Sequence, residues 1–196
     1  MTAKDVAVAV AFDIWNPFRQ IIVPNVVGIT GEEADLLVLQ DSGYLEEIEI
    51  KVSKSDFRRE FAKKQFKHRV LLEGKPEHMA LSMRDSNKAW REFYALPLMD
   101  RSDWSKCEPQ LVRRFWFAMP LDLATELAGD IPEWAGLIAV RETKRWRPSA
   151  SIVKKAPNLK NSRKLTDEEQ RKLIRYGYVR FWDLTLKAGQ AGKVDA

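Results

Sequence analysis

The feature that most constrains the fold is a pair of apolar segments joined by a short turn signal. The run 35–39 is apolar after its first residue, and Asp41-Ser42-Gly43 follows with typical turn chemistry. Segment 44–52 then alternates between an apolar face and a charged face made of Glu47, Glu49 and Lys51. The pattern predicts a β-hairpin.

A three-residue loop fixes which side chains meet across this hairpin. It sets Asp35 opposite Glu49, and Glu33 opposite Lys51, so two carboxylates and an ammonium crowd one patch of sheet. Paired carboxylates are unfavourable unless a cation lies between them, and their hard oxygen donors suit Mg²⁺ or Mn²⁺. The alternative is a solvent-facing strand with a salt bridge. A loop one residue shorter would move Asp35 to the other face.

Helical and extended signals alternate along the rest of the chain. Thr2 and Asp5 predict an N-cap for a first helix ending at Asn16-Pro17, although the alternation at 6–10 also suits a strand. Ser53 with Asp56 predicts a helix running to about Val70. Further strands are predicted at 20–27, 114–118, 136–140 and 151–154, and further helices at 121–128 and, behind a Thr166–Glu169 capping box, at 167–187.

The length and layout favour a single domain of 196 residues. Its core is expected at about 1–72 and 113–160. Between them, 73–112 is irregular and predicts an insertion with short helices, for instance around 88–94. A C-terminal helix at 166–187 and a frayed tail at 188–196 complete the predicted organisation.

The net charge of +5 conceals a strongly uneven distribution. Segment 54–69 carries seven cations against two anions, and 141–175 carries twelve against four. Such asymmetry favours nucleic-acid binding, whereas the alternative is a solvated helix face and a lysine-rich loop.

Several classes of protein are excluded or disfavoured by composition. No apolar run of membrane-spanning length occurs, which predicts no membrane partner. Cys107 is the single cysteine, which rules out an internal disulfide and makes a reducing, cytoplasmic location the default expectation. No Gly-rich phosphate loop appears, so an NTPase is not indicated.

Asp35, followed by Glu49-Ile50-Lys51 at the end of the next strand and then a helix, resembles the PD-(D/E)XK nuclease superfamily. The stretches 33–39 and 47–57 are similar to small bacterial and phage proteins related to Holliday-junction resolvases and DNA-repair nucleases. Supporting matches are Lys67-His68, 115–120 and 131–138. The resemblance covers about 20–70 and 113–160.

This resemblance implies an α/β fold with a restriction-endonuclease-like αβββαβ core, a mixed central sheet flanked by helices, and cleavage of DNA with Mg²⁺ or Mn²⁺. Asp35 and Glu49 would be metal ligands together with the Ile50 carbonyl, and Lys51 would be catalytic. Many relatives carry an acidic residue on the first helix. Here only Asp13 or Glu33 could substitute for it.

The expected partner is DNA, contacted by the basic residues of 58–68, namely Arg58, Arg59, Lys63, Lys64, Lys67 and His68. For His68, the alternatives are a role in supporting the site and a surface position near a helix C-terminus. Trp146, between Arg145 and Arg147, is a candidate for base stacking or a packed surface residue. Resolvase-like relatives often act as dimers, so a homodimer is one candidate assembly.

Three functions therefore stand at the level of sequence. The first is a metal-dependent DNA endonuclease, acting on branched or repair and recombination DNA. The second is a nucleic-acid-binding or partner-binding protein on the same fold without catalysis, favoured by the missing acidic residue of the first helix. The third is an interaction protein that binds no nucleic acid.

Overall fold

The structure is a computed structural model that describes residues 1–26, 33–64, 67–68, 71–72, 75–76, 107–108, 110–144 and 146–191. For 75–76, 107–108 and 187–191 it describes the backbone alone. The predicted short helix around 88–94 and the residues 192–196 of the predicted tail lie outside these ranges.

A six-stranded mixed sheet organises the described part of the chain, in the order β1-β2-β3-β6-β7-β8. The three central strands β3, β6 and β7 are parallel to one another, and the remaining neighbours are antiparallel. Its strands are β1 (Ile21–Val26), β2 (Ala34–Leu39), β3 (Leu45–Ile50), β6 (Val112–Pro120), β7 (Ala135–Arg141) and β8 (Ser149–Lys154). A separate two-stranded ladder pairs β4 (Lys75–Pro76) with β5 (Cys107–Glu108).

Four α-helices accompany the sheet in the described ranges: α1 (Ala3–Val10), α2 (Lys54–Lys63), α3 (Leu121–Leu127) and α4 (Asp167–Ala191). A π-helical turn, Ala11–Trp15, continues α1, and a 3₁₀ turn, Ala128–Asp130, follows α3. Residues 67–68 and 71–72 also have helical backbone. None of the described helices combines the length and the apolar run needed to cross a membrane. The coarse prediction of a mixed α/β fold with a sheet between helices is therefore confirmed.

The hairpin of β2 and β3 has the predicted register. The Gln40 N–H donates to the Tyr44 carbonyl at 2.9 Å, which closes the three-residue loop. Gly43 in this loop has φ of 83°, a left-handed conformation that glycine adopts without steric cost. The turn residues and the two-residue period of the side chains predicted this register correctly, because both depend on residues that are close in the sequence.

Both faces of this hairpin are buried, which corrects the alternative of a solvent-facing strand. All six residues of β3 are buried. Its even-numbered residues Ile48 and Ile50 pack towards α1, in the cluster that holds Val6 and Trp116. Its odd-numbered residues lie on the opposite face, the side of Phe57 on α2. Glu47 and Glu49 therefore lie in the interior, between the sheet and α2.

Short sequence motifs also predicted where the first and last helices begin. The Thr2–Asp5 capping box is present, so segment 3–10 is a helix and the strand alternative is wrong. Pro24 lies on β1, which is an edge strand of the sheet, and an edge tolerates the missing N–H. The Thr166–Glu169 capping box starts α4, but this helix continues to Ala191, past the predicted end at 187.

The long excursion between β3 and β6 begins and ends at adjacent positions. Lys75 pairs with Glu108, and Pro76 with Cys107, so the chain leaves and returns through one short antiparallel ladder. The second helix is shorter than predicted, because α2 ends at Lys63 with Lys64 as its C-cap instead of running to about Val70.

Candidate functional site

The candidate site lies where the start of β2 meets the end of β3, at the edge of the sheet that follows the carboxyl end of β3. The Ile50 N–H donates to Asp35 Oδ2 at 2.7 Å, and the hairpin register continues to set Asp35 beside Glu49. The Lys51 N–H donates to the Ala118 carbonyl at 2.9 Å, which ties this end of β3 to β6. The structure thus brings Asp35, Glu49 and Lys51 together, as the sequence predicts.

The Lys51 ammonium bridges the sheet and α2. Its Nζ donates to Glu49 Oε1 at 2.9 Å and to Glu60 Oε2 at 2.7 Å, and all three side chains are buried. Ser53 caps α2 through the Asp56 N–H, which starts the helix three residues after Lys51 and sets its buried face against the sheet.

Glu60 is a member of the site that the sequence interpretation missed. It accepts from Lys51 through Oε2, and its Oε1 lies 3.2 Å from His68 Nε2. A signal for it is present in the sequence, because a residue at 60 shares a helix face with the aromatic residues Phe57 and Phe61. In the charge pattern, Glu60 is only one of two anions among seven cations.

Two further lysines enter the same cluster from the α2 side. Lys64 Nζ donates to Glu49 Oε1 at 2.6 Å and lies 3.4 Å from Glu60 Oε2. Lys67 Nζ donates to Glu49 Oε2 at 2.9 Å and to the Glu33 carbonyl at 3.3 Å. Lys67 also forms an ion pair with Glu47 Oε1, whereas Glu47 Oε2 has no hydrogen-bond partner among the described residues.

Two carboxylates of the cluster, those of Asp35 and Glu47, have raised pKa values. Burial, and secondly the charge of Glu49, raise the pKa of Asp35 despite its hydrogen bond from the Ile50 N–H. Complete burial raises the pKa of Glu47, although Lys67 acts in the opposite direction. Within the described ranges no ammonium lies at ion-pair distance from Asp35. Within the described part of the chain, Asp35 is therefore not neutralised by direct contact with a cation, although the charges of Lys51 and Lys64 act to lower its pKa.

Three other groups are held in their charged forms, namely Lys51, Lys67 and Glu60. Burial opposes charge on Lys51 and Lys67, but the carboxylates around them outweigh it and raise both pKa values. Burial also opposes charge on Glu60, but hydrogen bonds from His68 and Lys51 lower its pKa well below the ordinary range. Lys51 therefore presents a permanent ammonium beside Glu49.

The donor set suits a hard divalent cation. Asp35 and Glu49 would hold it, because their oxygens are of the type that Mg²⁺ and Mn²⁺ prefer, and Asp35 has no ammonium at ion-pair distance among the described residues. The described residues contain no group of three or more His, Cys, Asp or Glu side chains arranged around one metal position. Mg²⁺ commonly uses one or two carboxylates with water completing its shell, so a pair is sufficient.

The two suggested substitutes for the helical acidic residue lie differently. Asp13 is hydrogen-bonded to β8 and to the turn before it. Its oxygens accept from the Arg147 guanidinium at 2.6 Å and from the Ala150 N–H at 2.8 Å. Glu33 adjoins the cluster through its carbonyl, which Lys67 contacts, while its side chain is exposed. Of these two residues, the structure brings only Glu33 near Asp35 and Glu49.

The predicted DNA-contacting residues divide into two groups. Arg58, Arg59 and Lys63 are exposed, and Lys64 is partly exposed. Lys67 and His68 are instead buried, which corrects their assignment as DNA contacts and the alternative of a surface histidine. His68 packs between Phe61 and Trp134, with ring centroids at 5.1 and 5.2 Å, and so positions Glu60.

Comparison with known proteins gives a likeness in fold. No protein-family model matches the chain, and no curated protein matches it. A solved structure from Silicibacter pomeroyi, of a protein of unknown function, is similar with a TM-score of 0.50 and 18% sequence identity. The match covers 98% of this chain and 94% of that one. At this identity the likeness concerns the fold alone.

Proposed function

We propose that the protein is a Mg²⁺- or Mn²⁺-dependent DNA endonuclease of the PD-(D/E)XK type, with a restriction-endonuclease-like core. The proposal rests on one observation, which is that the side chains of Asp35, Glu49 and Lys51 lie together at the end of β3. Asp35 accepts a hydrogen bond from the Ile50 N–H, and the Lys51 ammonium donates one to Glu49. The chain order α1-β1-β2-β3-α2-β6 also follows the αβββαβ order that the resemblance implies.

The chain's own groups suit phosphodiester hydrolysis. A permanently charged Lys51 stabilises negative charge developing on a phosphate oxygen, and it can orient an attacking water. A metal held by Asp35 and Glu49 supplies polarisation of the phosphate and a lower pKa for bound water. Glu60 holds Lys51 from the other side, with 2.7 Å between Nζ and Oε2, so it fixes where the ammonium lies.

The substrate class follows from the charge beside the site. Arg58, Arg59 and Lys63 form an exposed basic face of α2, directly after the strand that carries Glu49 and Lys51. Such a face suits the phosphates of a DNA backbone. We propose branched or repair and recombination DNA in the cytoplasm as the substrate, with a homodimer as a candidate assembly.

A second candidate is a nucleic-acid-binding protein on the same fold without catalysis. One observation favours it: Glu49 already accepts from three ammonium groups, those of Lys51, Lys64 and Lys67. These lysines neutralise the carboxylate without a metal. In the nuclease, at least one of these contacts must yield when the cation binds.

The test is a cleavage assay on plasmid, branched and single-stranded DNA with Mg²⁺ or Mn²⁺. Loss of a metal-ligating carboxylate or of the charge-stabilising ammonium typically costs at least a hundredfold in rate, so we expect that loss in Asp35→Asn, Glu49→Gln and Lys51→Met. The matched control is Asp41→Asn, since Asp41 is exposed in the hairpin loop at the other end of β3. Its cutting should equal that of the unaltered protein.

Mn²⁺ titration by calorimetry separates the two candidates. A nuclease should bind Mn²⁺ and lose that binding in Asp35→Asn. Salt-sensitive DNA binding with neither cutting nor Mn²⁺ uptake would establish the non-catalytic alternative. Cutting that persists in all three site variants would contradict the assignment of the site.

A further inference from the structure

A second surface, distant in sequence from the carboxylate cluster, combines exposed aromatic rings with fixed positive charge. Phe18 and Trp146 have the largest exposed fractions among the large hydrophobic side chains described, at 86% and 83%. Phe18 lies edge-on to Phe12, with ring centroids 6.1 Å apart. The Arg147 guanidinium lies 5.5 Å from the Phe12 ring centroid and 5.4 Å from that of Trp146. We call these four residues the aromatic platform.

The platform is built on a fixed frame. Asp13 accepts from Arg147 at 2.6 Å and from the Ala150 N–H at 2.8 Å, which joins the π-helical turn after α1 to the turn between β7 and β8. The Arg147 carbonyl accepts from the Thr143 hydroxyl at 2.8 Å, within the same turn. Arg147 is therefore held in place, and its guanidinium lies within cation–π distance of both rings.

A basic concavity adjoins the platform. A cavity of about 500 Å³ is lined by Arg141, Lys144, Arg147 and Trp146, with Asp13 and Glu142 as its acidic members. Asp13 is paired with Arg147, and Glu142 lies 3.8 Å from the amino terminus of the chain. Arg141 and Lys144 therefore leave the cavity with an excess of positive charge.

The topology sets this surface at the same edge of the sheet as the carboxylate cluster. β3, β6 and β7 are parallel, so the turn after Arg141 and the end of β3 both lie at their carboxyl ends. Ile50 pairs with Ala118, which pairs with Ile138, so two strand spacings of about 4.8 Å separate Ile50 from Ile138. Arg141 lies three residues further along β7, which gives roughly 15 Å between Arg141 and Ile50.

We propose that the aromatic platform and its cavity bind an unpaired strand of DNA, with a base stacked on Trp146 and phosphates at Arg141 and Lys144. Exposed aromatic faces among cations are the means by which proteins hold single strands, because every unpaired base offers a π-face and every nucleotide a negative charge. A duplex offers its base faces only at its ends. The excess positive charge distinguishes this surface from a purely apolar docking site.

The proposal rests on residues outside the carboxylate cluster, so it can be tested without cleavage. A fluorescein-labelled oligothymidine of twelve nucleotides is titrated in EDTA and followed by anisotropy, with the matching duplex as a second probe. We expect preference for the single strand. We expect Trp146→Ala to weaken single-strand binding at least fivefold, and Trp146→Phe to restore most of the loss.

The matched control is Trp182→Ala, because Trp182 is also exposed but lies on α4. It should bind the oligonucleotide as the unaltered protein does. Arg141→Gln with Lys144→Gln should reduce the slope of binding against salt, while Trp146→Ala should not.

Three outcomes would overturn the proposal. They are unchanged single-strand binding by Trp146→Ala, equal losses for single strand and duplex, and full rescue by Trp146→Leu, which supplies apolar area without an aromatic face. A stronger effect with oligouridine than with oligothymidine would assign the platform to RNA instead.

Discussion

At the scale of single residues, the protein concentrates charge where most folds exclude it. Four carboxylates and three ammonium groups share the interior between β3 and α2, and nearly every one of them is satisfied by a neighbour of opposite sign. Such clusters cost stability to desolvate, so the fold tolerates them only where opposite charges are closely paired.

Asp35→Asn is expected to stabilise the fold while abolishing cutting. Asn keeps the acceptor for the Ile50 N–H but removes a charge that burial and Glu49 disfavour. Because the folded pKa of Asp35 is raised, the penalty is absent below about pH 3.8 and grows as pH rises through the folded value. Denaturant unfolding at pH 3 and pH 7 should therefore show the gain at pH 7 only. Equal stability of the two proteins at pH 7 would contradict the assigned environment.

Lys67→Met is expected to destabilise the protein by about 3–5 kcal/mol, because it leaves the buried Glu47 without its cationic partner among the described residues and removes one of the three that Glu49 has. The measurement is the free energy of unfolding in urea. Lys63→Met is the matched control, since Lys63 is exposed on the same helix and its loss should change stability by less than about 0.5 kcal/mol. A loss of unfolding free energy in Lys67→Met that is no larger than the loss in Lys63→Met would contradict a structural role for Lys67.

At the scale of elements, sequence patterns predicted those features that depend on residues close together in the chain. The hairpin register followed from the turn at 41–43, and both capping boxes followed from their spacing. Burial of both faces of β3 did not follow, because it depends on α1 and α2 packing from opposite sides. For the same reason Glu60 and the burial of Lys67 and His68 were missed.

Gly136→Ala is expected to destabilise the protein by about 1–3 kcal/mol or more through overpacking. A Cβ at this position on β7 would lie 2.3 Å from the Trp116 ring and 2.7 Å from the Ala156 backbone nitrogen. Thermal unfolding measures the effect. Gly129→Ala is the control, because a Cβ there meets nothing within 4 Å, and its midpoint should stay near that of the unaltered protein.

Glu169→Gln is expected to weaken the start of α4 at neutral pH by about 1–2 kcal/mol, allowing for the partial exposure of the pair. Hydrogen bonds from Arg163 lower the pKa of Glu169 from 4.5 to about 2. This stabilisation is present above pH 4.5 and is lost as pH falls towards 2, so the two proteins should converge in acid. A constant difference between pH 7 and pH 2 would exclude the ionised pair as its source.

At the scale of the whole molecule, the sheet is assembled from two separate parts of the chain. β1 to β3 come from the first fifty residues, and β6 to β8 come from 112–154. The length and composition of 73–112 predicted an insertion between them. No sequence pattern showed that its ends meet, because that contact joins residues about thirty positions apart.

Replacing residues 77–106 with a short Gly-Ser linker is expected to leave the six-stranded sheet folded. All six strands lie outside that segment, and β4 and β5 already pair at its two ends. Circular dichroism and a cooperative urea transition would test this. A variant without a cooperative transition would show that the segment is part of the core.

The parallel pairing of β3 with β6 has a consequence for the order of events during synthesis. Until residues 112–120 leave the ribosome, β3 has no partner on that side, and the Ala118 carbonyl that receives the Lys51 N–H does not yet exist. Pairing strands so far apart in sequence is slow relative to closing the β2–β3 hairpin. The hairpin can therefore bring its two carboxylates together early, but the backbone of Lys51 is hydrogen-bonded to β6 only after more than half the chain has been made.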